Sequence, residues 1–177
     1  RPPRRRPSDN SLFEDREAQR RWQSTTLNNM AVLHKAAGRP HAALKCLDRA
    51  LQVECKMRSC PNPAATHVNL CVVLNDMGRH EAAITHANCA VDLVQADWDD
   101  LDRRSRTLRL GDSQALGGAL AQTSPAAGGV SEDDPGNLLA VALYNRACAE
   151  DHLGKRSSSI LSANRALRAL GGDDGAA

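Results

Sequence analysis

The run Leu27-Asn28-Asn29-Met30-Ala31-Val32-Leu33-His34, followed by Gly38 and then by Ala43-Leu44, Leu47, Ala50 and Leu51, decides the fold because it recurs. Forty residues on, the chain reads His67-Val68-Asn69-Leu70-Cys71-Val72-Val73-Leu74, then Gly78, then Ala83-Ile84 with Ala87, Ala90 and Val91. A looser copy runs Leu143-Tyr144-Asn145-Arg146-Ala147, then Gly154, then Ile160, Ala163, Ala166 and Leu167. Each copy holds two stretches with apolar residues three and four apart, split at a glycine, which is the pattern of a helix, a tight turn and a second helix. Gly38, Gly78 and Gly154 stand where a helix end takes a left-handed residue, a conformation that glycine adopts without steric cost. Short residues recur in the first helix (Ala31, Cys71, Ala147) and in the second (Ala50, Ala90, Ala166), and only short side chains let two helix axes approach closely. One hairpin of this kind cannot bury its own apolar face, so the copies must stack.

These residues resemble the tetratricopeptide repeat, whose 34-residue pattern sets large and small residues at fixed places around a helical hairpin. With each glycine counted as place fifteen, Leu27, Met30, Ala31, Ala43, Leu47 and Ala50 fill places 4, 7, 8, 20, 24 and 27 of the first repeat. The second places His67, Leu70, Cys71, Leu74, Ala83, Ala87 and Ala90 correspondingly. The third departs with Arg146, Glu150 and Ser159 at places 7, 11 and 20, and the closing proline is absent throughout. The Leu-Asn-Asn opening and the forty-residue step between glycines are similar to the kinesin light chain branch. The resemblance spans roughly 24–94 and 138–170. It implies an all-α solenoid of stacked helix-turn-helix hairpins whose first helices line a concave groove that holds an extended peptide or a partner helix.

The 177 residues suffice for a handful of helix pairs and one extended core. Aromatics make up 2% of the chain, which suits helices packed through small residues rather than a sheet sandwich. A formal charge of +2 gives no global field for nucleic acid or an anionic membrane. There is no apolar run of membrane-spanning length and no signal-peptide pattern, so a cytoplasmic setting is expected. The chain opens at Arg1 without Met, consistent with a piece of something longer.

In order, residues 1–10 read as a disordered basic tail and 11–110 as an N-terminal helix plus two repeats. Residues 111–133 read as a flexible insertion, 134–170 as a degenerate third repeat and 171–177 as a disordered tail. Ser11-x-x-Glu14 is a capping box that starts a helix to about Gln23. Ser24-Thr25-Thr26 then serves as a break before the repeat, with one long helix through Ala37 as the alternative. Pro40 and Pro63 suit first helical turns, and Asp134-Pro135 caps the third repeat. Ile84, Ala87, Val91, Val94, Trp98, Leu101, Ser105 and Leu108 keep helical spacing past the usual repeat length, so the second helix there continues to about Leu110. The acidic cluster from Asp97 to Asp102 lacks a calcium-loop glycine and reads as a solvated face.

No phosphate loop, nucleophile elbow or metalloprotease motif is present, and the expectation is no catalysis, no cofactor and no small-molecule substrate. Cys46, Cys71, Cys89 and Cys148 fall inside helices and read as reduced thiols. Cys55, Cys60, His67, Cys71, His86 and Cys89 offer zinc ligand types at no standard spacing, so no metal is expected. Asn29, Asn69 and Asn145 share place 6, which by the resemblance faces the groove. An amide ladder there can hold a peptide backbone, with Val32, Val72, Lys35 and Asp76 beside it; equally, the amides can tie neighbouring helix backbones together. Place 5 holds Asn28, Val68 and Tyr144 instead of the lysine of chaperone-tail readers. The resulting reading is an adaptor or scaffold module for protein partners within a larger complex, with a microtubule, motor or ciliary assembly as the finer expectation. A static structural subunit and a weak nucleic-acid binder using the arginine clusters stay open as alternatives.

Overall fold

The computed structural model describes residues 9–58, 63–111 and 135–171. Six helices account for them: α1 Asp9–Ala36, α2 Pro40–Glu54, α3 Pro63–Asp76, α4 His80–Gly111, α5 Pro135–His152 and α6 Arg156–Ala169. No strand occurs among the described residues. The insertion expected over 111–133 and the two tails lie almost wholly outside them.

Three hairpins, α1/α2, α3/α4 and α5/α6, turn at the three glycines, each with positive φ: 67° at Gly38, 73° at Gly78 and 72° at Gly154. Each turn closes the same way. The glycine amide donates to a carbonyl three residues back (Lys35, Asn75, Asp151), and the next amide donates to one five residues back (His34, Leu74, Glu150), all within 2.8–3.0 Å. These paired bonds satisfy carbonyls that a helix end leaves unpaired, and they require the left-handed residue at that place.

The hairpins stack through their apolar faces. Ala31, Ala43, Leu47, Leu70 and Val73 form one cluster that joins the first hairpin to α3. Val68, Ala90, Val91, Val94, Leu139, Ala142 and Leu143 form another that joins the second hairpin to α5. The first helices touch in succession, α1 to α3 and α3 to α5, whereas α2 and α4 lean on the first helix of the next hairpin, α6 packs on α5, and the second helices do not touch one another. Such an array curves with α1, α3 and α5 on its inner side.

Two helices exceed the repeat. Helix α4 has 32 residues and at about 1.5 Å per residue extends roughly 48 Å. Helix α1 runs for 28 residues without interruption, through the Ser24-Thr25-Thr26 run where the sequence points to a break. Serine and threonine oppose helix by offering the backbone other partners, but here those hydroxyls are engaged. Thr26 Oγ1 donates to the Trp22 carbonyl at 2.7 Å in the same helix, and Ser24 Oγ donates to the Glu54 carboxylate of α2. Arg20 anchors the helix further by donating to Glu17 at 3.1 Å and to the Lys56 carbonyl at 3.0 Å. The Arg58 guanidinium lies 4.6 Å above the Phe13 ring. The early part of α1 thereby packs over the end of α2 and is continuous with the repeat.

A Cβ at Gly78 would meet nothing within 4 Å, so only its positive φ resists substitution. Gly78→Ala should lower unfolding free energy by about 1–2 kcal/mol, and Gly78→Asn by less, since asparagine tolerates left-handed backbone. Urea denaturation of both variants checks this; equal losses would point to packing instead of backbone conformation.

Candidate partner-binding face

The inner side is built from the residues of α1, α3 and α5 that point away from their second helices. Asn29 and Val32 are exposed on α1, Asn69 and Val72 are half-buried on α3, and Val141 and Tyr144 are exposed on α5. Ala31, Val32, Lys35, Asn69, Val72 and Val73 surround a cleft between α1 and α3 of only about 20 Å³, room for little more than one water. This part of the face is a shallow shelf with no cavity of small-ligand size. Lys35 Nζ and Asp76 Oδ2 pair at 3.2 Å across its edge. Both ends are well exposed, so the pair contributes no more than ~1 kcal/mol.

The three place-6 asparagines do different things. Asn29 points outward. Asn69 Nδ2 donates to Asn28 Oδ1 at 3.1 Å, tying α3 to α1. Asn145 Nδ2 donates to the Val141 carbonyl of its own helix at 2.8 Å, and its backbone carbonyl accepts from Asn75 Nδ2 at 2.9 Å. Asn75, which the repeat pattern does not single out, therefore links α3 to α5. Its Oδ1 lies 3.3 Å from His80 Nδ1, and the His80 ring stacks on that of His152 with centroids 4.5 Å apart.

Behind Asn69 runs a buried polar chain that sequence reasoning missed. Asn28 Nδ2 donates to Thr66 Oγ1 at 2.8 Å, and Thr66 Oγ1 donates to Glu54 Oε1 at 2.7 Å. Ser24 donates to the same carboxylate oxygen, while Glu54 Oε2 is buried without a partner among the described residues. Ser24, Glu54 and Thr66 are 5%, 7% and 0% exposed. At the equivalent places of the next junction stand Ala64, Val94 and Ala142, all apolar. The signal was a glutamate at the end of α2 where the other repeats carry Val94 and Leu170. In the third hairpin Glu150 is the buried acid instead, held by Arg146 Nε at 2.9 Å and Ser162 Oγ at 2.7 Å.

Two partly buried histidines and one buried thiol are pushed toward their neutral forms. His67 and His86 face each other with Nδ1 atoms 3.0 Å apart, so one ring donates and the other accepts. Burial lowers the pKa of both; the neighbouring His86 lowers His67 further, while Asp48 partly opposes the shift at His86. The Cys71 thiol is pushed up to about 12, by burial first and by nearby Cys148 second, and stays protonated and unreactive at neutral pH. Among the described residues no group of three or more His, Cys, Asp or Glu side chains is placed to hold a metal ion. No described helix is long and apolar enough to cross a membrane.

Residues 24–56 match a family model described as Tetratricopeptide repeat. No curated protein matches the chain.

The buried chain gives the first stability test. Thr66→Val should remove about 1–3 kcal/mol, because it withdraws a donor from a buried carboxylate and an acceptor from Asn28. The combination Ser24→Ala, Glu54→Val and Thr66→Ala, which copies the residues of the next junction, should recover most of that loss in thermal melts. A triple variant weaker than Thr66→Val would show that the polar chain contributes net stability. The histidine pair gives the second. Their lowered folded-state pKa values mean that the unfolded chain binds more protons, so stability is complete above the ordinary histidine value of 6.5 and declines as pH falls through it. The melting temperature should drop on acidification, with a shallower drop in His67→Leu, which carries the residue found at place 4 in the other repeats. An unchanged slope in that variant would contradict this.

Proposed function

Taking the chain as a tetratricopeptide-repeat protein, we propose that it is a non-catalytic protein-interaction module that holds a peptide or helix of a partner along the inner face of α1, α3 and α5. The observation that carries this is the row of apolar side chains along the three first helices, with Val32 at 51% exposure on α1, half-buried Val72 on α3, and Val141 at 44% and Tyr144 at 62% on α5. With the outward-pointing Asn29 amide beside it, the row offers a backbone hydrogen-bonding group next to shallow apolar contacts, which is what an extended polypeptide needs. Single apolar residues at a surface are ordinary; the support lies in their alignment along successive, touching helices. The finer reading, a place in a motor-linked or ciliary assembly, rests on the likeness of Leu27-Asn28-Asn29-Met30-Ala31 to light-chain repeats.

Peptides selected from a random display library on the folded chain supply a probe. Asn29→Ala combined with Val32→Asp should weaken their binding about tenfold or more, with unchanged melting temperature because both positions are exposed. Undiminished affinity in a folded double variant would remove the inner face as the binding site.

A further inference from the structure

The internal junctions define what covers each side of a hairpin. The rear of the second hairpin presents Val68, Val91 and Val94, which α5 reduces to 6%, 4% and 3% exposure. Counted from the turn glycine, the same places on the third hairpin are Tyr144, Leu167 and Leu170, and these are 62%, 51% and 59% exposed. With Ala140, Ala163 and Ala166 they line an open apolar groove of about 910 Å³ along α5 and α6. The groove therefore repeats the seat that α3 and α5 occupy at the two internal junctions.

The front of the first hairpin is the matching half. On α3 the front residues Thr66, Leu70 and Val73 are 0%, 0% and 2% exposed, covered by the hairpin before them. The same places on α1 are Thr26, Met30 and Leu33; Thr26 is exposed, and the other two are 43% and 69% exposed.

We propose that a second copy of this chain seats the front of its α1, through Thr26, Met30 and Leu33, in the rear groove of α5 and α6, joining copies head to tail as successive hairpins join within one copy. The occupant is a second copy because the chain itself carries both halves of an interface that it makes twice internally. Burying Thr26 strands no donor, since its hydroxyl is already given to the Trp22 carbonyl. Asn29 occupies the place from which Asn69 reaches the place-5 residue Asn28. In the new junction it meets the place-5 residue Tyr144, whose hydroxyl suits an amide equally well. The contact uses different patches on the two copies, so a dimer leaves one front and one rear open and further copies add as concentration rises. The seat shares Asn69, Val141 and Tyr144 of its rear side, and Asn29 of its front side, with the inner face; Val32, Lys35 and Val72 lie outside it.

Sedimentation velocity of the full chain across the micromolar range tests this. The expected result is a mean mass that rises with concentration beyond the dimer. Leu33→Asp and Leu167→Asp each place a carboxylate at a position already more than half exposed in one copy, so both variants should fold, which circular dichroism melts check. Each alone should associate at least tenfold more weakly. Their equimolar mixture should form dimers and nothing longer, because only one intact front and one intact rear remain. A wild-type chain that stays monomeric throughout, whether the groove is empty or covered by another part of the same chain, overturns the proposal. So does undiminished association of either variant alone, which would mean a contact between other surfaces.

Discussion

Close approach of helix axes at Ala31, Cys71 and Ala147 and at Ala50, Ala90 and Ala166 is the constraint on which the other features depend. At these places a side chain longer than a methyl or thiol would push the two helices of a hairpin, or one hairpin and the next, apart. Ala50, Ala90 and Cys71 are fully buried, and overpacking such positions typically costs about 1–3 kcal/mol. Once the axes lie close, Leu47, Leu70, Val73, Val91 and Leu143 interdigitate across the junctions. The first helices then fall into contact in succession, and the inner row of Asn29, Val32, Asn69, Val72 and Val141 is assembled from residues far apart in sequence.

Both internal junctions hold an apolar cluster and differ in what lies beside it. The first adds a buried chain of hydrogen bonds ending on Glu54, where the second has the apolar Ala64, Val94 and Ala142. A buried carboxylate loses hydration that neutral hydroxyl donors return only in part, so the first junction gains little stability over an apolar one. What it gains is discrimination. Thr66 donates to Glu54 and accepts from Asn28, and Asn69 donates to Asn28, whereas the Ala142 and Leu143 surface of α5 would leave Glu54 only the Ser24 hydroxyl of its own hairpin. Such polar pairing specifies which hairpin follows which in an array whose apolar faces are otherwise interchangeable.

The hairpins, their turns and their small-residue places were legible in the sequence because they rest on local chemistry: helical periodicity, and a left-handed residue that glycine supplies. In the sequence an uninterrupted α1 is only the alternative to a break, because Ser24 and Thr26 disfavour helix while their hydroxyls lack other partners, and one of those partners, Glu54, lies thirty residues away. For the inner face, the sequence indicated which places share a side but not which amides are consumed internally. Asn69 is engaged with Asn28, Asn145 with its own helix, and the α3 to α5 link falls to Asn75, at a place the pattern leaves unmarked. The extent of α4 was readable to within one residue of Gly111, since its apolar spacing continues without a breaker.

Stacking of separated repeats is what both the inner face and the head-to-tail seat presuppose, and methyl-labelled NMR addresses it directly. Side by side hairpins give nuclear Overhauser contacts from Leu70 and Val73 to Ala31 and Leu47, and from Leu139 and Leu143 to Val91 and Val94. Hairpins that each show their internal contacts while these cross-repeat ones are missing would contradict the stacked array.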